Sequence, residues 1–290
     1  MEKASALDRF LSTLSVVSRI PIPLCFKFDS SRMDFYLPLT GICPALPGLV
    51  IFGGVSLLFG NPERTAGISA LIAALILIVQ YFGFNLFHLD GLMDTADAFL
   101  GGVDREKRLG ILKDSRIGVY GFFAGFAALS LKAVILYNLF PFARDFPSLI
   151  FAYPLWGRFS AALLPCITRP LNPGGLGALA KDARPRRCFI GMAAALLLWT
   201  LLVWTLLNAV SRFTSPQSVI PRFTGSALLP SIITPAVSLF AICPLTAFGY
   251  ARLYKKSLGG YTGDALGAAI ETAELLCLAT ALTVLYSRGG

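Results

Sequence analysis

Apolar residues run along this chain in long blocks, and most of the charge is gathered in the short stretches between them. The blocks lie near 35–59, 66–87, 119–139, 149–167, 189–210 and 228–250, with a last one following Asp264. Each is close to the roughly 20 residues that cross a bilayer as a helix. The pattern predicts an all-α fold, a polytopic membrane helical bundle of about seven transmembrane helices in a single domain over 1–290. The first block contains LPLTGICPALPGL, whose Gly and Pro content predicts a kinked helix packed closely on its neighbours. Ahead of it, residues 7–17 predict a short interfacial helix, with Arg9 and Arg19 towards water and Pro21 and Pro23 ending it. The amino-terminal MEKASALDRFLSTLSVVSRIPIP has no signal-peptide core ending in a small-residue cleavage site, so it is read as retained.

Composition strengthens the membrane reading. Hydrophobic residues make up 56% of the chain, mean hydropathy is +0.70, and only 14% of residues are charged, against about 25% in soluble proteins. The net charge of +9 does not point to nucleic acid, because the cations sit in short loops between spans, where they set topology and meet membrane lipid. With the amino terminus in the cytoplasm, the loops 1–34, 88–117, 168–188 and 251–263 carry 18 Lys and Arg, and the opposite side carries five. This bias predicts a protein of the cytoplasmic (inner) membrane with its carboxyl terminus outside. It also places the polar loops 88–117, 168–188 and 251–264 together on the cytoplasmic face, with Arg186 and Arg187 as topological anchors. The six cysteines are scattered without CxxC spacing, which predicts neither a zinc site nor a disulfide framework. A homo-oligomer is compatible with the sequence.

The candidate chemistry is concentrated in residues 83–118, which hold six of the sixteen acidic residues. Asp90, Asp94 and Asp97 stand at i, i+4 and i+7, on one face of a helix. Like charges so arranged repel one another unless a cation offsets them. Mg²⁺ takes oxygen ligands and is typically shared with substrate phosphates, so these three are the predicted metal ligands. A solvated loop explains charge, but not three aligned Asp at the edge of an apolar span, where ionisable groups are costly. Gly91 removes a Cβ where something bulky approaches the backbone. Residues 104–116 add five cations, including Lys113 and Arg116, a density suited to phosphate.

Other charged residues lie inside apolar blocks, among them Lys132 and Arg158. Arg158 either snorkels or meets a carboxylate, a phosphate or carbonyls. Asp264 follows the glycine-rich SLGGYTG and would cap a helix there. Capping does not account for Glu271 and Glu274 deeper in the last block, and Asp264 and Glu271 would share a helical face.

The run HLDGLMDTADAFLGGVDREKRLGILKDSRIGVYG, the early FLSTLSVVSRIPIP and the late LGGYTGDALGA together resemble the cobalamin synthase (adenosylcobinamide-GDP ribazoletransferase) family over nearly the whole chain. Met93 and the Asn172-Pro173-Gly174-Gly175 sequence depart from the family pattern. The resemblance implies an Mg²⁺-dependent transfer in which α-ribazole, or its 5′-phosphate, displaces GMP from adenosylcobinamide-GDP. In that reaction Asp90, Asp94 and Asp97 are implied as metal ligands, Asp114 as a further metal ligand or the base, and Asp264 as a second candidate base. Lys113, Arg116 and Arg158 are implied as phosphate contacts. His88, the only histidine, is read as a structural hydrogen-bonding residue at the helix edge in preference to a base or cobalt ligand. The alternatives are a CDP-alcohol phosphotransferase, whose pattern has Ala-Arg where this chain has Asp94-Thr95, and an ion-coupled transporter, for which no inverted repeat is seen.

Overall fold

The computed structural model describes residues 4–22, 26–59, 68–102, 104–143, 145–211 and 225–289, with the side chains of 56, 59, 210, 211, 225–237, 288 and 289 outside the description. No strand occurs among the described residues beyond a single bridge, Pro170 to Tyr261. The fold is a helical bundle whose outer surface is apolar and whose interior holds several charges. That distribution is the one a lipid solvent requires. Leu71, Ile78 and Phe82 are exposed on one helix, Phe122, Phe123 and Phe126 on a second, and Leu197, Leu201 and Trp204 on a third.

Helix α1 (Ala6–Val17) opens with a capping box between Ser5 and Asp8, and Arg9 pairs with Asp29 at 2.9 Å, tying it to the segment that follows. Helices α2 (Met33–Thr40) and α3 (Ile42–Phe59) meet at Gly41, whose backbone stays in the right-handed helical region. A Cβ at Gly41 would lie 2.6 Å from Leu155 Cα, so this glycine is where the backbone approaches the central helix. That central helix, α8 (Tyr153–Leu163), is buried at every residue.

Helix α4 (Ser69–Gln80) does not stop near 87. It continues through a π-turn (Tyr81–Asn85) into α5 (Leu86–Ala96) and a second π-turn (Asp97–Gly101). The 33-residue rod is about 50 Å long at 1.5 Å per residue, against a hydrocarbon core of about 30 Å. The rod is thus longer than that core, and its acidic end is helix and not loop. The chain then forms α6 (Arg105–Ile111), α7 (Val119–Leu139), α8, α9 (Pro185–Ser211), α10 (Gly225–Leu258) and α11 (Gly263–Gly289).

Among the described residues six helical stretches are long and apolar enough to cross a membrane. The expected span at 228–250 falls on α10, part of which lies outside the described side chains. Helix α11 presents Ala265, Ala268, Ala269 and Ala273 to the core, and it packs against α5, α7, α8 and α10. Small residues at those positions let backbones approach closely without a large apolar driving force.

Candidate active site

The acidic end of the rod is fixed by its crossing with α11. A Cβ on Gly91 would lie 2.9 Å from both Asp264 Cα and Asp264 carbonyl oxygen, and a Cβ on Gly267 would lie 3.0 Å from His88 Cα. The bulky neighbour anticipated at Gly91 is thus the backbone of Asp264. Thr95 donates to Gly91 carbonyl oxygen at 2.6 Å, and its Oγ1 lies 2.7 Å from Tyr254 Oη. Thr95 has one hydroxyl proton, so Tyr254 is the donor in the second bond, and α10 is pinned to the same crossing.

Asp90 and Asp94 occupy the strip of α5 between the face against α11 and the face against α7. Asp90 is exposed and Asp94 half-buried. Asp94 lies within electrostatic reach of Asp90, Asp264 and Asp97, and Asp264 accepts a hydrogen bond from Thr262 Oγ1 at 3.0 Å. Among the described residues no ion pair involves Asp90, Asp94 or Asp264. No three Asp, Glu, His or Cys side chains among them are gathered closely enough to hold a metal ion as they stand. The crossing does bring together hard oxygen donors without a cation partner, which is the donor chemistry Mg²⁺ takes.

Asp97, the third of the aligned acids, is hydrogen-bonded to the start of the next helix. Its Oδ2 accepts from Gly118 N–H and its Oδ1 from Gly121 N–H, both at 2.8 Å, so the carboxylate caps the start of α7. A Cβ on Gly118 or Gly121 would meet those oxygens at 2.3 and 2.2 Å. The two glycines of the RIGVYG run exist to admit this carboxylate, and that contact joins the two motifs of the acidic stretch. The π-turn that begins at Asp97 and the packing of Met93 against Gly125 draw this edge of the helix onto α7.

Asp114, Lys113 and Arg116 lie in the loop before α7. Asp114 accepts from Arg116 Nη2 at 2.6 Å and Nε at 3.0 Å. The hydrogen bond from that side chain holds the Asp114 carboxyl down at about 2. Its partner is therefore the neighbouring guanidinium and not a carboxylate of α5, and Lys113 is exposed.

Arg158 does not snorkel; it is enclosed in the bundle, with a carboxylate as its partner. It is 1% exposed and donates to Glu274 Oε1 at 3.0 Å and Asn85 Oδ1 at 2.9 Å. Lys132 Nζ donates to Glu271 Oε2 at 2.8 Å, Glu274 Oε2 at 2.7 Å and Tyr81 Oη at 3.0 Å. Tyr81 and Asn85, the ends of the first π-turn, supply further bonds to the two glutamates. Two cations and two carboxylates are thus enclosed in a neutral cluster inside the bundle. Desolvation of charge is repaid there only because each carboxylate is paired and further hydrogen-bonded. The sequence offered a signal for it: Lys132, Arg158, Glu271 and Glu274 are equal numbers of opposite charges in apolar spans. His88 is buried, and its Nδ1 and Arg158 Nε are the buried side-chain atoms left without a partner among the described residues, so the structural hydrogen bond expected of His88 is not made at Nδ1.

The 168–183 loop closes over the crossing from one side. Leu171 N–H donates to Tyr261 carbonyl oxygen at 2.8 Å, Tyr261 N–H to Arg169 carbonyl oxygen at 3.0 Å, and Tyr261 Oη to Gly177 carbonyl oxygen at 2.8 Å. Gly260 faces Arg169 carbonyl oxygen, where a Cβ would stand at 2.7 Å. Asn172 Oδ1 accepts from Gly174 N–H at 3.0 Å, so the 172–175 sequence builds an Asx turn. The loop and the acidic helix end both lie against residues 261–264.

An apolar exterior, an enclosed neutral charge cluster and unpaired carboxylates at one helix crossing define a polytopic membrane protein with a carboxylate centre at one end of its bundle. The sequence matches the cobalamin-5-phosphate synthase family over residues 9–282, and the chain belongs to that family. It is accordingly a transferase of cobalamin biosynthesis. Relatives described as adenosylcobinamide-GDP ribazoletransferase include one from Clostridioides difficile, 31% identical over 94% of this chain and 96% of its own length. Others are from Azorhizobium caulinodans, 31% identical over 96% and 95%, and Xanthobacter autotrophicus, 32% identical over 94% and 96%. No solved structure matches the chain.

Proposed function

We propose that the protein transfers the cobinamide phosphoryl group of adenosylcobinamide-GDP to α-ribazole or α-ribazole 5′-phosphate, releasing GMP. The reading draws on the printed activity of relatives that align end to end with this chain. The observation that carries it to particular residues is the juxtaposition of Asp90 and Asp94 with Asp264 at the α5–α11 crossing. In this reaction a ribose hydroxyl oxygen bonds to the phosphorus attached to the cobinamide side chain, the bond from that phosphorus to the GMP oxygen breaks, and the hydroxyl proton passes to a base.

Asp90 and Asp94 would hold Mg²⁺, with Asp97 setting their helix against α7. Bound Mg²⁺ would supply neutralisation of charge on the pyrophosphate oxygens. Asp264 is the better placed base, since Thr262 orients it at the crossing, whereas Asp114 is already paired with Arg116. Lys113 and exposed Arg116 are positioned on a loop leading into the same end of the bundle, where they would meet the departing GMP phosphate. Arg158 would act at a distance, by holding Asn85 and Glu274 and so the faces of the rod and α11.

The test is product formation by purified protein given adenosylcobinamide-GDP and α-ribazole 5′-phosphate. Equal amounts of GMP and a cobamide phosphate are expected, and CDP-alcohol substrates should give nothing. Turnover of CDP-alcohols without cobamide formation would overturn the proposal.

A further inference from the structure

Away from the carboxylate centre, four arginines converge where the starts of two membrane-spanning helices cross. Gly191 makes the crossing possible: a Cβ there would stand 2.2 Å from Phe35 carbonyl oxygen, so α9 and α2 touch backbone to backbone. The contact brings Arg184, Arg186 and Arg187 beside Arg32, around a groove of about 480 Å³ floored by Phe35, Tyr36 and Ile190. The carboxylate beneath is Asp34, 2% exposed. It accepts from Arg187 Nε at 2.8 Å and Arg184 N–H at 2.7 Å. The groove's own lining holds four arginines and no acid, and of the four only Arg187 makes an ion pair among the described residues, with Asp34.

Arg32 supplies an independent sign. It holds φ 64°, the one positive φ at a residue other than glycine among those described. A left-handed arginine costs backbone energy. In this conformation it ends the 26–32 segment with its side chain lining the groove. The chemistry asked of an occupant is an anionic, phosphate-like head for the fork-shaped donors and an apolar portion for the aromatic floor. The groove lies at the ends of the Met33–Val55 and Pro185–Ala209 spans, which is where a lipid places its phosphate above its chains.

We propose that the groove between α2 and α9 is a binding site for the headgroup of an anionic phospholipid of the surrounding leaflet. The full-length protein is incorporated into nanodiscs of phosphatidylcholine with a minority of phosphatidylglycerol and re-extracted in neutral detergent. Copurifying lipid is then quantified by mass spectrometry. Wild type should be enriched in phosphatidylglycerol above the bulk ratio. The Arg184→Gln/Arg186→Gln variant should lose about thirty-fold in apparent affinity, from two arginines near the surface. Lys255→Gln/Lys256→Gln, which removes the same charge from the exposed end of α10, should keep the enrichment. No enrichment in wild type overturns the proposal without reference to any variant. Equal loss in both variants would reduce the effect to surface charge and overturn it too. Displacement of the lipid by inorganic phosphate would assign the groove to a water-soluble anion instead.

Discussion

Replacing Lys132 by methionine removes the ammonium that bonds Glu271, Glu274 and Tyr81 at 2.8, 2.7 and 3.0 Å while keeping nearly the same side-chain length. The cluster then passes from two cations and two carboxylates to one cation and two, at a position that is 0% exposed. Taking one partner from a buried ion pair costs about 3–5 kcal/mol, and little of this would come from a cavity, because methionine fills the lysine stem's space. A second change, Glu271→Gln, restores neutrality by leaving Arg158 with Glu274. Since a balanced neutral substitution of a buried pair is often close to cost-free, the double variant should recover most of the loss. Unfolding of the detergent-solubilised protein by dodecyl sulfate, followed by tryptophan fluorescence, measures both. A loss below about 1 kcal/mol for Lys132→Met, or a double variant as unstable as the sum of its single changes, would refute the view that charge balance holds this core together.

Two further outcomes follow from the geometry of the carboxylate centre. Gly91→Ala puts a methyl group 2.9 Å from Asp264 Cα and carbonyl oxygen, where backbone must move. Transfer activity should fall by ten-fold or more, about 1.4 kcal/mol in barrier, while the purified protein remains monodisperse in gel filtration, and unchanged turnover would contradict the crossing as the site's scaffold. Asp114 is held at about 2, chiefly by the hydrogen bond from the Arg116 side chain, so it remains a carboxylate at every working pH. Asp114→Asn should therefore leave in place any rate titration with a midpoint near neutrality, and loss of that limb in the pH profile would make Asp114 the base.

Much of the architecture is legible in hydropathy alone, since a lipid solvent forces long apolar helices and leaves charge only where it is useful. The acidic helix was legible too, because i, i+4, i+7 spacing fixes a face without knowledge of partners. What the pattern does not carry is which neighbour each face meets. Asp97 shares a helical face with Asp90 and Asp94, yet backbone N–H groups at the start of α7 bond both its oxygens. Only Gly118 and Gly121 hint at that contact. Arg158 looks free in sequence because its partners Asn85 and Glu274 lie 73 and 116 residues away. The π-turns at 81–85 and 97–101 also leave no mark in apolar periodicity, although the first aims Tyr81 and Asn85 at the same glutamates. Residues 261–264 are the strip on which the acidic helix and the 168–183 loop both rest.

The central proposal is that Asp94 belongs to a Mg²⁺-dependent phosphoryl-transfer centre while Asp97, three residues on, caps a helix. GMP release from adenosylcobinamide-GDP in the presence of α-ribazole 5′-phosphate, titrated with Mg²⁺ and abolished with EDTA, measures this for wild type, Asp94→Asn and Asp97→Asn. The account predicts that Asp94→Asn loses release by a hundred-fold or more, about 2.7 kcal/mol, whereas Asp97→Asn keeps the wild-type Mg²⁺ midpoint and loses about 1 kcal/mol of stability. Release that needs no Mg²⁺, or a Mg²⁺ midpoint that shifts in Asp97→Asn and stays put in Asp94→Asn, would contradict it.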